Sequence, residues 1–223
     1  ADCVLKLGRA VAFDLHADLP WTGRFVVIDD YEIRGGGIVR EALPDREEWA
    51  RSKVMLRNKK WENSLIAPQR RAARFSQLPT LLLVTGERDN DRKGLAKDLE
   101  ERLFSAGRNV YFLGMANVLY GVDADIDRSV TNRQEHFRRL GEIANLMLDA
   151  GIILIVSAAE LRQEDLETVK VSVPAERITT VWVGATGAAD VACDLVVPDG
   201  AQSGSVEAVE ALLQDRGVIF RPW

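Results

Sequence analysis

Four residues near position 90 could hold a phosphate group: Gly86, Arg88, Arg92 and Lys93. They follow Leu81-Leu82-Leu83-Val84-Thr85, an apolar run that reads as a buried strand stopping at a glycine turn. From Arg92 to Ser105 the sequence reads as a helix. Strand, glycine turn and helix together aim backbone N–H groups at an anion. A full phosphate loop asks for more. It needs glycines so that successive N–H groups can close around the phosphate oxygens. It also needs a Lys for the outer phosphates and a Ser or Thr hydroxyl on magnesium. Here the loop is Glu87-Arg88-Asp89-Asn90-Asp91-Arg92-Lys93-Gly94. Gly86 keeps the first position, while Asp89 and Asp91 stand where later glycines belong. Arg92 takes the Lys position and Lys93 the hydroxyl position. A slip of one residue makes Lys93 the phosphate Lys and leaves Gly94 and Leu95 in place of the hydroxyl. Either way magnesium loses its hydroxyl, and a carboxylate a few Å from phosphate costs about 1–4 kcal/mol. Two readings stay open: an exposed polar turn, or an altered anion site built from Arg88, Arg92 and Lys93.

The elements that must position these residues fall into three segments. Residues 1–40 read as all-β. Val4 to Phe13 and Gly23 to Asp29 look like strands, and Ile38-Val39 closes a third. Asp29-Asp30 and Gly35-Gly36-Gly37 supply turn chemistry. So few strands do not make a stable domain alone. The segment therefore packs on other parts of the chain, or it is the tail of a barrel. Residues 41–77 crowd Arg, Lys and Glu around Trp49 and Trp61 and read as a linker with one or two short helices. Residues 78–223 alternate strand and helix: strands at 81–85, 109–113, 151–157, 178–183 and 195–197, and helices at 92–105, 132–150, 163–169 and 205–215. Fully apolar short strands between helices predict a parallel sheet covered on both faces.

Composition narrows the function classes. A net charge of −5 gives no reason to expect nucleic acid or an acidic membrane surface as partner. Glu residues interleaved in the basic linker argue the same way. No apolar run approaches the ~20 residues that span a bilayer. Cys3 and Cys193 are too few for a disulfide framework, no metal-ligand cluster is visible, and a reducing cytoplasm is the expected compartment. Cys193 and Trp182 read as core. His16 and His136 lie far apart, and neither has a Ser or Cys arranged as a nucleophile.

The order of several motifs resembles the adenylylsulfate (APS) kinase family. Thr85-Gly86, Leu95-Ala96, Leu99-Glu100-Glu101-Arg102-Leu103, Gly107-Arg108-Asn109-Val110-Tyr111 and Asn117-Val118 carry the resemblance. Arg138-Arg139-Leu140-Gly141-Glu142-Ile143-Ala144 and Asp149-Ala150-Gly151-Ile152-Ile153 continue it in register. The first 40 residues, with Ala12-Phe13-Asp14 and Thr22 to Asp29, resemble the last strands of the elongation-factor-Tu-like barrel in the large subunit of ATP sulfurylase, as found in proteins that fuse that GTPase subunit to APS kinase. The resemblance implies a P-loop-type three-layer α/β/α domain at 78–223 with a mainly parallel sheet, behind a barrel fragment and a helical linker. It implies a chain that is the C-terminal part of a longer protein of sulfate assimilation.

The family moves the γ-phosphate of ATP to the 3′-hydroxyl of adenylyl sulfate with magnesium and a basic clamp. By resemblance, Asn117, Arg133, His136 (at an Asn position), Arg138 and Arg162 are substrate-binding residues. Gly86, Arg88, Arg92 and Lys93 are the remnant of the nucleotide site. Other parts are gone. The family's Asp-Gly-Asp-Asn motif and following Arg read here as Gly114-Met115-Ala116-Asn117 and Leu119. Its Ile-Ser-Pro-Tyr-Arg segment reads Ala158-Ala159-Glu160-Leu161-Arg162. Its basic lid has no counterpart between Val183 and Cys193, where Gly184–Asp190 is rich in Gly and Ala. The expectation is a degenerate APS-kinase-like domain with a structural or regulatory role and no resident cofactor. Partners would be sulfate adenylyltransferase subunits and a second copy of the kinase-like domain. The alternative is an active ATP:adenylylsulfate 3′-phosphotransferase with an atypical loop, using ATP and Mg2+.

Overall fold

The computed structural model describes residues 2–5, 7, 11–43, 47–127, 132–184, 191–198 and 204–220. The chain divides into two compact units, Ala1–Arg46 and Glu47–Trp223.

In the first unit β1 (Arg24–Asp29) pairs antiparallel with β2 (Glu32–Ile38). Asp30 and Tyr31 connect them, both at positive φ (48° and 63°). Two consecutive positive-φ residues make the hairpin turn whose twist matches the strands. The run Gly35–Gly37 is therefore not a turn, as its composition suggested, but part of β2 opposite Val27, Val26 and Phe25. A Cβ on Gly37 would meet the Phe25 ring at 2.7 Å, so the absent side chain makes room for that ring. The strand expected over Val4–Phe13 is not seen among the described residues of that run, nor is Ile38-Val39 a separate strand. Apolar side chains stay open to solvent, including Trp21, Val26, Ile28 and Ile33.

The second unit begins with α1 (Glu48–Lys60) and α2 (Pro68–Phe75). Then come β3 (Thr80–Gly86), α3 (Asp89–Ser105), β4 (Val110–Gly114) and a single helical turn α4 (Met115–Asn117). A wider π-type turn follows over Val118–Val122. The chain continues through α5 (Arg133–Asp149), β5 (Ile153–Ser157), α6 (Gln163–Ser172), β6 (Ile178–Val183), β7 (Leu195–Val197) and α7 (Ser205–Asp215). The five strands β3–β7 form one parallel sheet in the order β4-β5-β3-β6-β7.

Strand alternation divides the core. Leu81, Leu83, Leu154 and Val156 face one cluster with Phe137, Leu140 and Val169 of α5 and α6. Leu82, Val84, Ile153 and Ile155 face the other, with Leu99, Leu103, Val209 and Leu213 of α3 and α7. Both faces are covered, so β3, β5 and β6 are buried along their whole length. Each large aliphatic side chain removed from water here stabilises the sheet by about 1.5–3 kcal/mol. The result is three layers, with the carboxyl ends of β3 and β5 side by side where ligands bind in open parallel sheets.

Candidate functional site

Gly86 ends β3 at φ +154°, and a Cβ there would lie 2.2 Å from the Val183 carbonyl oxygen. Only glycine lets β3 pass this close to β6 before the turn. The turn itself is short. Glu87 and Arg88 intervene, and α3 begins at Asp89, one turn earlier than the expected helix start at Arg92. Asp89 and Asp91 lie in the first helical turn, where carboxylates complement the helix dipole. They also reach cations one turn on. Asp89 Oδ1 is 2.5 Å from Arg92 Nη2, and Asp89 Oδ2 is 2.5 Å from Lys93 Nζ. Sequence that looked like loop is helix because its acids pair at i+3 and i+4. Gly94 is consequently a helical residue, not the end of a loop.

Arg92 has turned inward. It is 3% exposed, donating from Nη1 to the Gly86 carbonyl at 2.8 Å and from Nε to Ser157 Oγ at 3.2 Å. The guanidinium thus joins the ends of β3 and β5 from the first turn of α3. Burial pushes it below its ordinary pKa, against the attraction of Asp89 and Glu160. The Lys93 ammonium, the largest influence, holds the Asp89 carboxyl below its usual range. Arg88 lies 3.8 Å from Asp91 Oδ2. Each cation of the expected phosphate site therefore has a carboxylate of the same segment within 4 Å.

Of the five residues expected on the substrate side, Arg133, His136, Arg138 and Arg162 lie on α5 and at the start of α6. Arg133 donates from Nε and Nη2 to Asp165, at 2.7 Å for the shortest contact, and from Nη2 to the Glu160 carbonyl. Its guanidinium also lies over the Phe137 ring at 5.2 Å. Asp165 is fully buried and accepts in addition from the Arg162 backbone N–H at 2.9 Å. The Arg162 side chain is exposed, 3.6 Å from Glu164. Arg138, which the resemblance places among the substrate-binding residues, is mostly covered and donates twice to Glu135. Glu135 also accepts from Arg139, and these contacts, Arg138 first, hold its carboxyl down at about 2. His136 is buried with its Nδ1 2.6 Å from Asp123 Oδ2. Asn117 is exposed on α4.

Asp123, Asp165 and Ser157 escaped the sequence reading. Asp165 stands third in its helix, a capping position whose usual signal is a Ser or Thr before the helix; Arg162 hides it. Asp123 and Ser157 carry no local pattern and matter through partners 13, 16 and 65 residues away. Cys193 is half-buried, and burial pushes its thiol up, away from reactivity. Of the Gly184–Asp190 stretch, all but Gly184 lies outside the described residues. A cavity of about 610 Å3 opens at the opposite, N-terminal end of the sheet, beside Thr80 and Ile178. Of the charged residues on its wall, Arg216 and Asp194 are matched to each other at 2.6 Å, and Lys170 to Glu167 at 3.0 Å. Backbone, charge and chemistry converge at the other end, by Gly86, so the candidate site is there.

The parallel sheet and the short glycine turn after β3 define a P-loop-kinase-like α/β protein. The family model for adenylylsulphate kinase matches residues 78–195, more than half of the chain, and the chain belongs to that family. It is 31% identical over 157 residues to "Bifunctional enzyme NodQ" of a Rhizobium species, covering 70% of this chain and 23% of that protein. It is 37% identical over 110 residues to an adenylyl-sulfate kinase of Shewanella pealeana, covering 49% of this chain and 54% of the relative. The Mycobacterium tuberculosis APS kinase CysC superposes with a TM-score of 0.54 at 25% identity, covering 62% of this chain and 99% of that structure. The chain thus spans about a quarter of the first relative and about half of the second. No described helix is long and apolar enough to cross a membrane.

Proposed function

We propose that this chain is the adenylylsulfate-kinase-like module of a sulfate-activating protein, retained as a structural or regulatory part after losing phosphoryl transfer. One observation carries the reading. The cation in the phosphate-Lys position, Arg92, is buried and spends its donors on Gly86, Ser157 and Asp89. Incoming phosphate would have to displace Asp89 from both Arg92 and Lys93. The donor set does not suit magnesium either, because Asp89 and Asp91 sit against cations and the hydroxyl position holds Lys93. On the substrate side Arg133 is occupied by Asp165, and Ala116 stands where the resemblance places a carboxylate.

The first unit fits the same reading as the closing strands of an elongation-factor-Tu-like barrel. Its exposed Val26, Ile28 and Ile33 are an apolar surface of the kind other strands of such a barrel would cover. Sulfate adenylyltransferase subunits and a second kinase-like copy would be the partners, in the cytoplasm.

Isothermal titration with ATP–magnesium and with adenylyl sulfate, beside an assay for the 3′-phosphorylated product, tests the proposal. The expected result is no turnover and no nucleotide affinity tighter than millimolar. Measured turnover would sink it in favour of an active 3′-phosphotransferase with an atypical loop.

A further inference from the structure

We infer that α1, which packs on α6, is a strap charge-coupled to α5, with Lys53 and Arg57 acting as positioning residues for the buried His136–Asp123 pair. α1 lies outside residues 78–195, and its contacts with α5 involve no phosphoryl transfer.

A continuous run of charged contacts connects the strap to the imidazole. Lys53 Nζ is 3.4 Å from Glu135 Oε2, and Glu135 Oε1 accepts from Arg139 Nε at 3.0 Å. Arg139 Nη1 is 3.6 Å from Asp123 Oδ1, and Asp123 Oδ2 is 2.6 Å from His136 Nδ1. A second tie, Arg57 Nη1 to Glu142 Oε2 at 2.7 Å, fixes α1 one turn or more further along α5. No link exceeds 3.6 Å, and all but the last lie outside the fully dry core.

Two properties make this a device rather than a rigid brace. The attachment is light: Ala50 and Val54 are the buried residues of α1, and ion pairs near the surface contribute about 0–1 kcal/mol each. The far end is poised. His136 Nε2 and Asp123 Oδ1 are buried without a hydrogen-bond partner, so the pair is held by its one mutual contact and by Arg139. Glu135 divides itself among Lys53, Arg138 and Arg139. Withdrawing Lys53 hands the carboxylate to the two arginines and shifts Arg139, which Asp125 and the Val122 carbonyl also hold, relative to Asp123. Release of α1 therefore reaches a residue at a family substrate position through Glu135 and Arg139.

The chain holds two histidines, so ring-nitrogen NMR of the full protein reads His136 directly, with His16 of the first unit as internal reference. In Lys53→Glu/Arg57→Glu the His136 ring resonances should move while those of His16 stay. Amide protection at Ala50–Val54 should fall roughly tenfold, the equivalent of two surface pairs. The milder Lys53→Gln/Arg57→Gln should shift His136 the same way by less, which keeps the test valid if the reversal unfolds the protein. Unmoved His136 resonances in a folded double variant overturn the inference, whatever α1 does. So does an equal movement in Lys59→Glu/Lys60→Glu, which changes the charge of the same helix away from both glutamates.

Discussion

Arg92 stands where a phosphate loop carries its lysine, and the chemistry of the two side chains explains the inward turn. A guanidinium offers five donors in a flat fork and can bridge several fixed acceptors, whereas an ammonium serves one point. Here the fork meets a backbone carbonyl, a hydroxyl and a carboxylate from three elements. Arg92→Met should cost about 2–4 kcal/mol in urea unfolding, because Gly86 O and Ser157 Oγ lose a buried partner and Asp89 loses a counter-charge. Glu135 gives a second prediction. Its folded pKa of about 2 lies below the unfolded value near 4.3, so its contribution is fully present above about pH 5 and is lost as pH falls towards 2. The urea midpoint of the wild type should therefore drop more steeply below pH 5 than that of Glu135→Gln. Equal slopes would assign the acid limb to other carboxylates.

At the scale of elements, packing decides which helices can carry the site. Gly141 of α5 faces α6, and a Cβ in its place would lie 3.0 Å from Ser172 Cβ and 3.2 Å from Ser172 Oγ. About two turns away along the same pair of helices, Arg133 of one reaches Asp165 of the other. Gly141→Val should cost about 1–3 kcal/mol by overpacking, and it should loosen the Arg133–Asp165 contact by parting the helices. A thermal melt unchanged within error would show that α6 can retreat freely. The start of α3 belongs to this scale too. Asp89 and Asp91 read as misfits in a phosphate loop, yet they are good first-turn residues of a helix, and the helix took them.

Across the whole molecule the two units differ in how they are held. The sheet of the second unit lies between two apolar clusters, while the first unit shows one buried residue, Gly23, among those described. Backbone hydrogen bonds in β1 and β2 are thus shielded by little besides each other. Hydrogen exchange should find the amides of Arg24–Ile38 opening at least about 100-fold more readily than those of Thr80–Gly86, since protection follows buried contacts. Comparable protection in both would mean that the hairpin is covered in solution, as by a second chain.

By itself the sequence was enough for the parallel sheet, the order of its elements and the family, because unbroken apolar strands and helix-period segments are local signals. The bounds at 178–183, 195–197 and 205–215 were readable to the residue for that reason. Tertiary structure alone decided the state of the site. Whether Arg92 faces a phosphate or the strand ends depends on Ser157, far along the chain. Whether Arg133 and His136 are available depends on Asp165 and Asp123, which no local pattern marks. Apolar periodicity is written in neighbours along the chain, but the pairing of buried charges is settled by whatever the fold brings within about 3 Å.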